Sequence, residues 1–127
     1  MPTASAEGFM EVLQQYEKTR DLGPLVEMFD DQSELENLLS KAPARGREGA
    51  RKFWAHYLDN FGSIESTFKH VTKSNDAAVL EWESAGTLAD GRPVRYRGVS
   101  VLEFGGGCVR RFRAYYDSAS LLEPATA

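Results

Sequence analysis

The sequence has one cysteine, Cys108, among its 127 residues. A single cysteine can form neither a disulfide within the chain nor a metal site built from several cysteines. Histidine is also scarce, and neither His56 nor His70 stands in the close spacing to other ligand residues that metal motifs show. We therefore expect no metal and no other cofactor.

Long apolar runs, repeats and a large excess of one charge are missing as well. No stretch approaches the length of a membrane span, and residues 1–6 have neither the basic start nor the apolar run of a secretory leader. The net charge of −4 disfavours attraction to phosphate backbones and anionic lipid. We expect a cytoplasmic protein that binds neither nucleic acid nor membranes.

The remaining composition is that of an ordinary globular domain, with 42% hydrophobic and 27% charged residues. A chain of this length buries roughly two thirds of the surface that its unfolded form exposes. A second core is not required. We expect one domain that spans residues 1–127.

The second half of the chain is typical of antiparallel strands. Apolar and polar residues alternate through Val94–Phe104 and Cys108–Tyr116, and three glycines at positions 105–107 join the two runs in a tight turn. Two earlier runs, Ile64–Lys73 and Ala77–Leu88, show similar strand patterns. Consecutive strands separated by short turns predict a meander.

The first half is typical of helices. Apolar residues recur at helical spacing from about Ala6 to Arg20, with Ser5 in position to cap the start. Pro24 suits the first turn of a short second helix. The segment 33–38 is ambiguous, since its pattern favours neither helix nor strand. The apolar stripe of the first helix consists of Phe9, Val12, Leu13 and Tyr16.

A third helix is predicted from about Arg47 to Asn60, with Gly62 just past its end. Its apolar stripe is dominated by aromatic rings, which need a large surface to cover them. We expect this stripe to pack into the concave face of the sheet. The stripe consists of Ala50, Phe53, Trp54, Tyr57, Leu58 and Phe61.

Helices followed by a run of strands predict an α+β fold in which a curved antiparallel sheet wraps around the N-terminal helices. Such a sheet, closed at one end by helices, encloses a cone-shaped cavity in which a small apolar molecule binds. The chain resembles the nuclear transport factor 2 superfamily, and within it the SnoaL-like and ketosteroid isomerase-like proteins. The resemblance rests on residues 25–31, 45–48, 97–101 and 113–117, and it implies the cone-shaped, cystatin-like fold.

Ketosteroid isomerases bind an enolate oxygen with a tyrosine and a protonated aspartic acid, and a carboxylate acts as base. By sequence order, the resemblance assigns the tyrosine to Tyr16, the base to Glu36 and the strand acid to Ser100, which is a weaker donor than a carboxylic acid. Two aromatic positions of that pocket correspond to Phe29 and Trp54.

Limonene epoxide hydrolases of the same superfamily activate water with an arginine and two aspartates, at positions that this chain fills with Glu81, Glu83 and Ala114, so their known mechanism is not expected here. Aligning this strand with those enzymes places both glutamates in the cavity and Trp82 on the outer face; we call this alignment the family register. Hydrophobic patterning favours the reverse. We follow the family register, which makes Glu83 a candidate general acid or base in a pocket with Phe53, Tyr96 and Phe112 as walls.

Other interpretations of the same residues remain open. Tyr16 also fits a core tyrosine, Glu36 also fits an exposed acid, and an outward Glu83 would pair with an arginine on a neighbouring strand.

Two classes of function agree with the pattern. The first is a metal-free, isomerase-like or lyase-like enzyme that moves a proton on a carbonyl-containing or polycyclic compound. The second is a non-catalytic module for ligand binding or dimerisation. In either class we expect a homodimer through the outer sheet face, which would carry Val99, Val101, Val109, Tyr115 and, in the family register, Trp82.

Overall fold

The computed structural model describes residues 3–117 and 119. Within this part the chain forms three helices and six strands. The helices are α1 (Ala6–Thr19), α2 (Gly23–Val26) and α3 (Gly46–Leu58). The strands are β1 (Glu34–Asn37), β2 (Ala44–Arg45), β3 (Phe61–Lys73), β4 (Ala77–Leu88), β5 (Pro93–Gly105) and β6 (Cys108–Tyr116).

Local capping explains where α1 begins and ends. The Ser5 hydroxyl accepts a hydrogen bond from the Gly8 amide at 3.0 Å, as predicted. At the other end Arg20 takes a left-handed conformation with φ of 62°, and its amide donates to the Tyr16 carbonyl. No helix in the described part of the chain is long and apolar enough to cross a membrane.

The six strands form one open sheet in the order β2-β1-β6-β5-β4-β3. The meander from β3 to β6 is antiparallel, but β1 pairs with β6 in parallel, so the sheet is mixed. The ambiguous segment is therefore largely a strand. Ser33 helps to fix it, because its buried hydroxyl donates to the Val109 carbonyl at 2.6 Å and accepts from the Asp30 amide.

The concave face of the sheet and the helices bury one continuous core. Trp82 points into this core, and so does Val109, which is fully buried. The expectation that these two residues contribute to the outer face is wrong. The outer face carries ion pairs instead, including Glu83 with Arg95 and Glu103 with Arg113.

Helix α3 lies against the concave face. Trp54 is buried, and its ring centroid lies 5.0 Å from that of Phe112 on β6. The helix ends at Leu58, so Phe61 and Gly62 belong to β3 and not to the end of the helix. Phe61 still completes the aromatic group, because its ring packs against Tyr57 at 5.2 Å.

Candidate functional site

The concave face and the helices enclose a cavity with a polar stripe along a wall of aromatic rings. The space open to the centre of a water molecule measures about 30 Å³. Since roughly 10–15 Å³ of such space holds one water, the cavity as it stands accepts about two or three waters. The lining residues are Leu13, Glu17, Asn37, Phe53, Trp54, Tyr57, Ser66, Trp82, Ser84, Ser100, Phe112, Ala114 and Tyr116.

Glu17 is the acidic residue of this lining, and its side chain is held by Ser66 on β3. One carboxylate oxygen accepts from the Ser66 amide at 2.9 Å, and the other accepts from the Ser66 hydroxyl at 2.5 Å. The residue is only 8% exposed. Burial raises the pKa of the Glu17 carboxyl, the hydrogen bonds from Ser66 oppose the rise, and the nearby Glu65 adds to it. A carboxyl group with a raised pKa is a stronger base when it is ionised, which suits it to proton transfer.

The hydrogen bonds continue from Ser66 into the sheet. Its hydroxyl lies 2.6 Å from that of Ser84, which is its direct partner on β4. Ser84 in turn lies directly opposite Tyr96 on β5. The Tyr96 hydroxyl is in close hydrogen-bond contact with that of Tyr57. Hydrogen bonds between buried side chains therefore link α1 to β3 and β4, and a separate contact between two phenols joins β5 to α3.

The phenols of this region remain neutral hydrogen-bond donors. Burial raises the pKa of Tyr57, Tyr96 and Tyr116, and charges on neighbouring groups raise those of Tyr57 and Tyr96 further. Tyr116 also accepts a hydrogen bond from the Asn37 amide at 3.3 Å. The site thus combines one acidic group with several hydroxyl donors.

Trp54 stands at the centre of the aromatic wall. Its ring lies between 5.0 and 6.4 Å from five other aromatic rings, measured between centroids. The buried indole N–H of Trp54 has no hydrogen-bond partner within residues 3–117 and 119. An unpaired buried donor is costly, so this group favours an acceptor atom on a bound molecule.

Two larger openings border the cavity. The vestibule, defined by Asn37, Leu39, Ser40, Phe53, His56, Tyr57, Asn60 and Tyr116, measures about 220 Å³ and shares four of these residues with the cavity lining. On the opposite side lies a groove of about 610 Å³ between α1 and β3, to which Glu17 and Ser66 also contribute. Glu17 therefore stands between the cavity and the groove.

Four of the predicted site residues line the cavity, namely Phe53, Trp54, Ser100 and Phe112. Ser100 accepts a hydrogen bond from the Trp82 indole at 2.9 Å, so its hydroxyl already has one partner. Tyr96 is buried just outside the lining, where it meets Tyr57.

Tyr16 and Phe29 are buried in the core but do not line the cavity. The Tyr16 hydroxyl donates to the Trp54 backbone carbonyl at 2.6 Å, which is the arrangement of a core tyrosine. Phe29 is fully buried, and its carbonyl accepts from the Arg47 side chain. In this conformation neither residue reaches a molecule in the cavity.

The two predicted glutamates lie outside the cavity. On β1, Glu36 alternates with the buried Leu35 and the cavity-lining Asn37, so it points away from them. Glu83 lies on the outer face beside Arg95, at 3.2 Å, and the family register that turned it inward is wrong. Hydrophobic burial explains the outcome, because burying the Trp82 indole is favourable whereas burying unpaired carboxylates is costly.

The sequence does contain a signal for Glu17. It follows Leu13 by four residues and Phe9 by eight, so it continues the apolar stripe of the first helix. An acid on a stripe that packs into a core must be buried. Ser66 and Ser84 give a similar signal, since Ser66 lies between Ile64 and Phe68 on the inward face of β3 and Ser84 follows Trp82 on that of β4.

Within the described residues, no three or more His, Cys, Asp or Glu side chains converge as the ligands of a metal ion would. The chemistry available in the cavity is that of one carboxyl group, hydroxyls, an amide and an indole N–H.

Solved structures with the same fold come from several bacteria. A Catenulispora acidiphila protein with a ketosteroid isomerase-like fold, in complex with trimethylamine, has a TM-score of 0.79 and 16% identity, with 94% of this chain and 92% of that chain covered. A nuclear transport factor 2-like protein from Burkholderia pseudomallei has a TM-score of 0.78 and 18% identity over 97% and 100%. Another from Anabaena variabilis has a TM-score of 0.76 and 18% identity over 94% and 97%.

No curated protein matches the sequence. The sequence model of the SnoaL-like domain matches residues 6–112, which include α1 and α3 and most of the sheet. That match agrees with the cone-shaped α+β fold and with the structural neighbours. The chain belongs to the SnoaL-like domain family, and it has the fold of the nuclear transport factor 2-like proteins.

Proposed function

We propose that this protein binds a small molecule with an enolisable carbonyl group in its aromatic cavity and moves a proton on that molecule with Glu17. The observation that carries the proposal is the buried Glu17 carboxyl, which is held at the cavity wall by two hydrogen bonds from Ser66. Glu17 thereby takes the role that sequence order suggested for Glu36 or Glu83.

The arrangement supplies both halves of an enolisation. A carboxyl group whose pKa is raised by burial is a stronger base when ionised than an exposed glutamate. Neutral donors, the Trp54 indole N–H and the Tyr57 hydroxyl, belong to the same lining and can stabilise charge on a carbonyl oxygen. The apolar rings around them exclude water and strengthen these interactions.

A ligand larger than a few waters requires movement of side chains. Phe53, Tyr57 and Tyr116 separate the cavity from the vestibule, since all three contribute to both. Rotation of these rings would join the two spaces into a site of a few hundred Å³, the usual size for a small-molecule pocket. The ligand would then enter from the vestibule.

The test is hydrogen exchange at the α-carbons of two ketones, cyclohexanone and 2-tetralone, followed by NMR in D2O. The protein should accelerate exchange of at least one of them. Glu17→Gln should reduce that acceleration by about 10² to 10⁴ while the ketone still shifts the amide signals of cavity residues. Glu83→Gln, which alters an outward carboxyl, is the matched control and should leave the rate unchanged.

Two results would refute this assignment. One is equal exchange rates for the wild-type protein and Glu17→Gln. The other is a ketone that binds in the cavity but exchanges only at the rate of the buffer.

A second candidate is a non-catalytic site for a small organic cation. Aromatic rings around a carboxyl group favour such a ligand through cation–π attraction and ion pairing, and one structural neighbour is in complex with trimethylamine. Titration with trimethylammonium chloride distinguishes the two candidates. Shifts of cavity signals that disappear in Glu17→Gln, without exchange of either ketone, would favour the cation site.

A further inference from the structure

Three polar side chains of the cavity lining carry a proton that no group in residues 3–117 and 119 accepts. They are the indole N–H of Trp54 and the hydroxyls of Tyr116 and Ser100. Each of these residues is less than a tenth exposed. Buried donors without an acceptor are costly, so the lining favours a bound molecule that supplies acceptor atoms.

Asn37 determines why the Tyr116 proton stays available. The amide oxygen of Asn37 accepts from the Leu39 backbone amide at 2.9 Å, so the NH2 group at the other end of the side chain faces Tyr116. That NH2 group donates to the Tyr116 oxygen at 3.3 Å. An amide NH2 group cannot accept a proton in return. The phenol proton of Tyr116 is therefore free for a ligand.

The same reasoning applies to Ser100, and it makes the cavity rich in donors. Ser100 accepts from the Trp82 indole, which can only donate, so the Ser100 proton is not used in that contact. Acceptors are fewer, because both carboxylate oxygens of Glu17 already accept from Ser66. A ligand with one carbonyl oxygen would leave some of the donors unpaired.

The donors are spread along the cavity. Trp54 lines the cavity but not the vestibule, whereas Tyr116 lines both. The Tyr57 ring lies between them, since its centroid is 6.2 Å from that of the Trp54 ring and 6.2 Å from that of the Tyr116 ring. The Tyr116 hydroxyl lies on the long axis of its ring, so rotation of the ring about this axis leaves the donor in place.

We propose that the ligand is a carbonyl compound with a second oxygen acceptor, and that Tyr116 selects it by donating a hydrogen bond to that oxygen. The inference rests on the proposed function and adds to it the class of substrate and a residue that determines specificity. The reacting carbonyl oxygen binds the Trp54 and Tyr57 donors, and the second oxygen lies towards the vestibule. Tyr116 takes no part in the proton transfer itself.

The test uses two pairs of ketones in which one carbonyl oxygen is replaced by a methylene group of nearly the same shape. The short pair is 1,4-cyclohexanedione and 4-methylenecyclohexanone, and the long pair is 6-acetyl-2-tetralone and 6-isopropenyl-2-tetralone. The Kd of each ketone is measured at pH 8 from the NMR amide shifts of cavity residues. The preference of a protein is the Kd of the methylene compound divided by that of its oxygen partner. Comparing this ratio between variants cancels the different hydration of the two ligands.

In Tyr116→Phe the preference should fall about three- to tenfold for at least one pair, which is the effect of losing one hydrogen bond. Asn37→Asp should lower it in the same way although the phenol is retained, because an ionised carboxylate accepts the Tyr116 proton and withdraws it from the ligand. Tyr115→Phe is the matched control. It removes a phenol from the outer face of the same strand, where the side chain is exposed, and the preference should stay at the wild-type value.

An unchanged preference in both Tyr116→Phe and Asn37→Asp would overturn the second oxygen site, as would an equal fall in Tyr115→Phe. Ketone exchange separates this inference from the proposed function. If the ketones bind but none exchanges its α-hydrogens, the proposed function fails, while the preferences still decide whether Tyr116 binds an oxygen. If exchange depends on Glu17 and the preferences are equal in all variants, the second oxygen site alone is refuted. If no ketone binds in the cavity, both proposals are wrong.

Discussion

At the scale of single residues, the proposed chemistry depends on Glu17, an acid on the apolar face of a helix. Glu17 occupies an apolar-stripe position of α1, and its carboxylate is solvated by Ser66 in place of water. By contrast, Glu11 in the same helix is exposed, so its carboxylate remains in contact with water. Position on the stripe, more than residue type, determines which glutamate can act.

The raised pKa of Glu17 predicts a dependence of stability on pH. Because the folded protein holds this proton more tightly than the unfolded chain does, the stabilising contribution is fully present below the ordinary glutamate pKa, about 4.3. It is lost as the pH rises through the higher pKa of the folded state. The free energy of unfolding of the wild-type protein should therefore fall with pH relative to that of Glu17→Gln.

Urea denaturation of both proteins between pH 4 and pH 8 measures this difference. Glu36→Gln, which changes an outward-facing carboxyl on β1, is the control. Its free energy of unfolding should change with pH in the same way as that of the wild-type protein. A difference between wild type and Glu17→Gln that stays constant across this range would contradict the raised pKa.

At the scale of elements, the contact between β4 and β5 leaves space for an inward tryptophan side chain. Trp82 on β4 lies directly opposite Gly98 on β5, and a Cβ atom built on Gly98 would approach the Tyr115 carbonyl oxygen to 2.6 Å and the Trp82 indole to 2.7 Å. The glycine thus leaves room for a tryptophan that points inward. A larger residue at this position and an inward indole are incompatible without movement of the strands.

We predict that Gly98→Ala destabilises the protein by about 1 to 3 kcal/mol, as overpacking of a core does, and displaces Trp82 from Ser100. Urea denaturation and the indole N–H signal in NMR measure the two effects. Gly105→Ala is the control, since a Cβ there meets only ordinary contacts of 3.6 Å or more. Equal free energies of unfolding for Gly98→Ala and Gly105→Ala would show that β5 moves at little energetic cost to accept a Cβ at position 98.

Much of this element structure could be predicted from the sequence, because it follows from local rules. Period-two alternation and the glycine turn gave β5 and β6, and helical spacing with Ser5 gave α1. The parallel pairing of β1 could not be predicted, since it depends on the contact of Ser33 with Val109, 76 residues away. A strand of four residues is too short for a clear pattern.

The candidate site was predicted less well for a related physical reason. Alternation shows that two neighbouring residues face opposite sides, but it does not show which of them faces the core. Trp82 faces the core and Glu83 does not, because burying the indole is favourable, burying the carboxylate is costly, and Gly98 leaves space for the indole. Hydrophobic patterning correctly predicted that Trp82 points inward, whereas the family register predicted the opposite.

At the scale of the whole molecule, the outer sheet face remains our proposed dimer interface. Its apolar area is smaller than the sequence suggested, because Trp82 and Val109 point inward. The half-buried Val99 and Val101 and the exposed Tyr115 remain on this face. Around them, acidic and basic side chains alternate, as in the pairs of Glu83 and Glu103 with arginines. A two-fold contact would bring this face of one copy against the same face of the other.

The proposal predicts a dimer in sedimentation velocity at micromolar concentration. Val101→Arg should shift the protein towards monomer, because it places an unpaired charge at the centre of the contact, and a buried charge without a partner is costly. Leu39→Arg is the matched control, because Leu39 is 58% exposed at the vestibule, away from this face. The Leu39→Arg variant should remain a dimer. A monomeric wild-type protein, or equal behaviour of the two variants, would assign the outer face to solvent and leave the cavity as the molecule's binding surface.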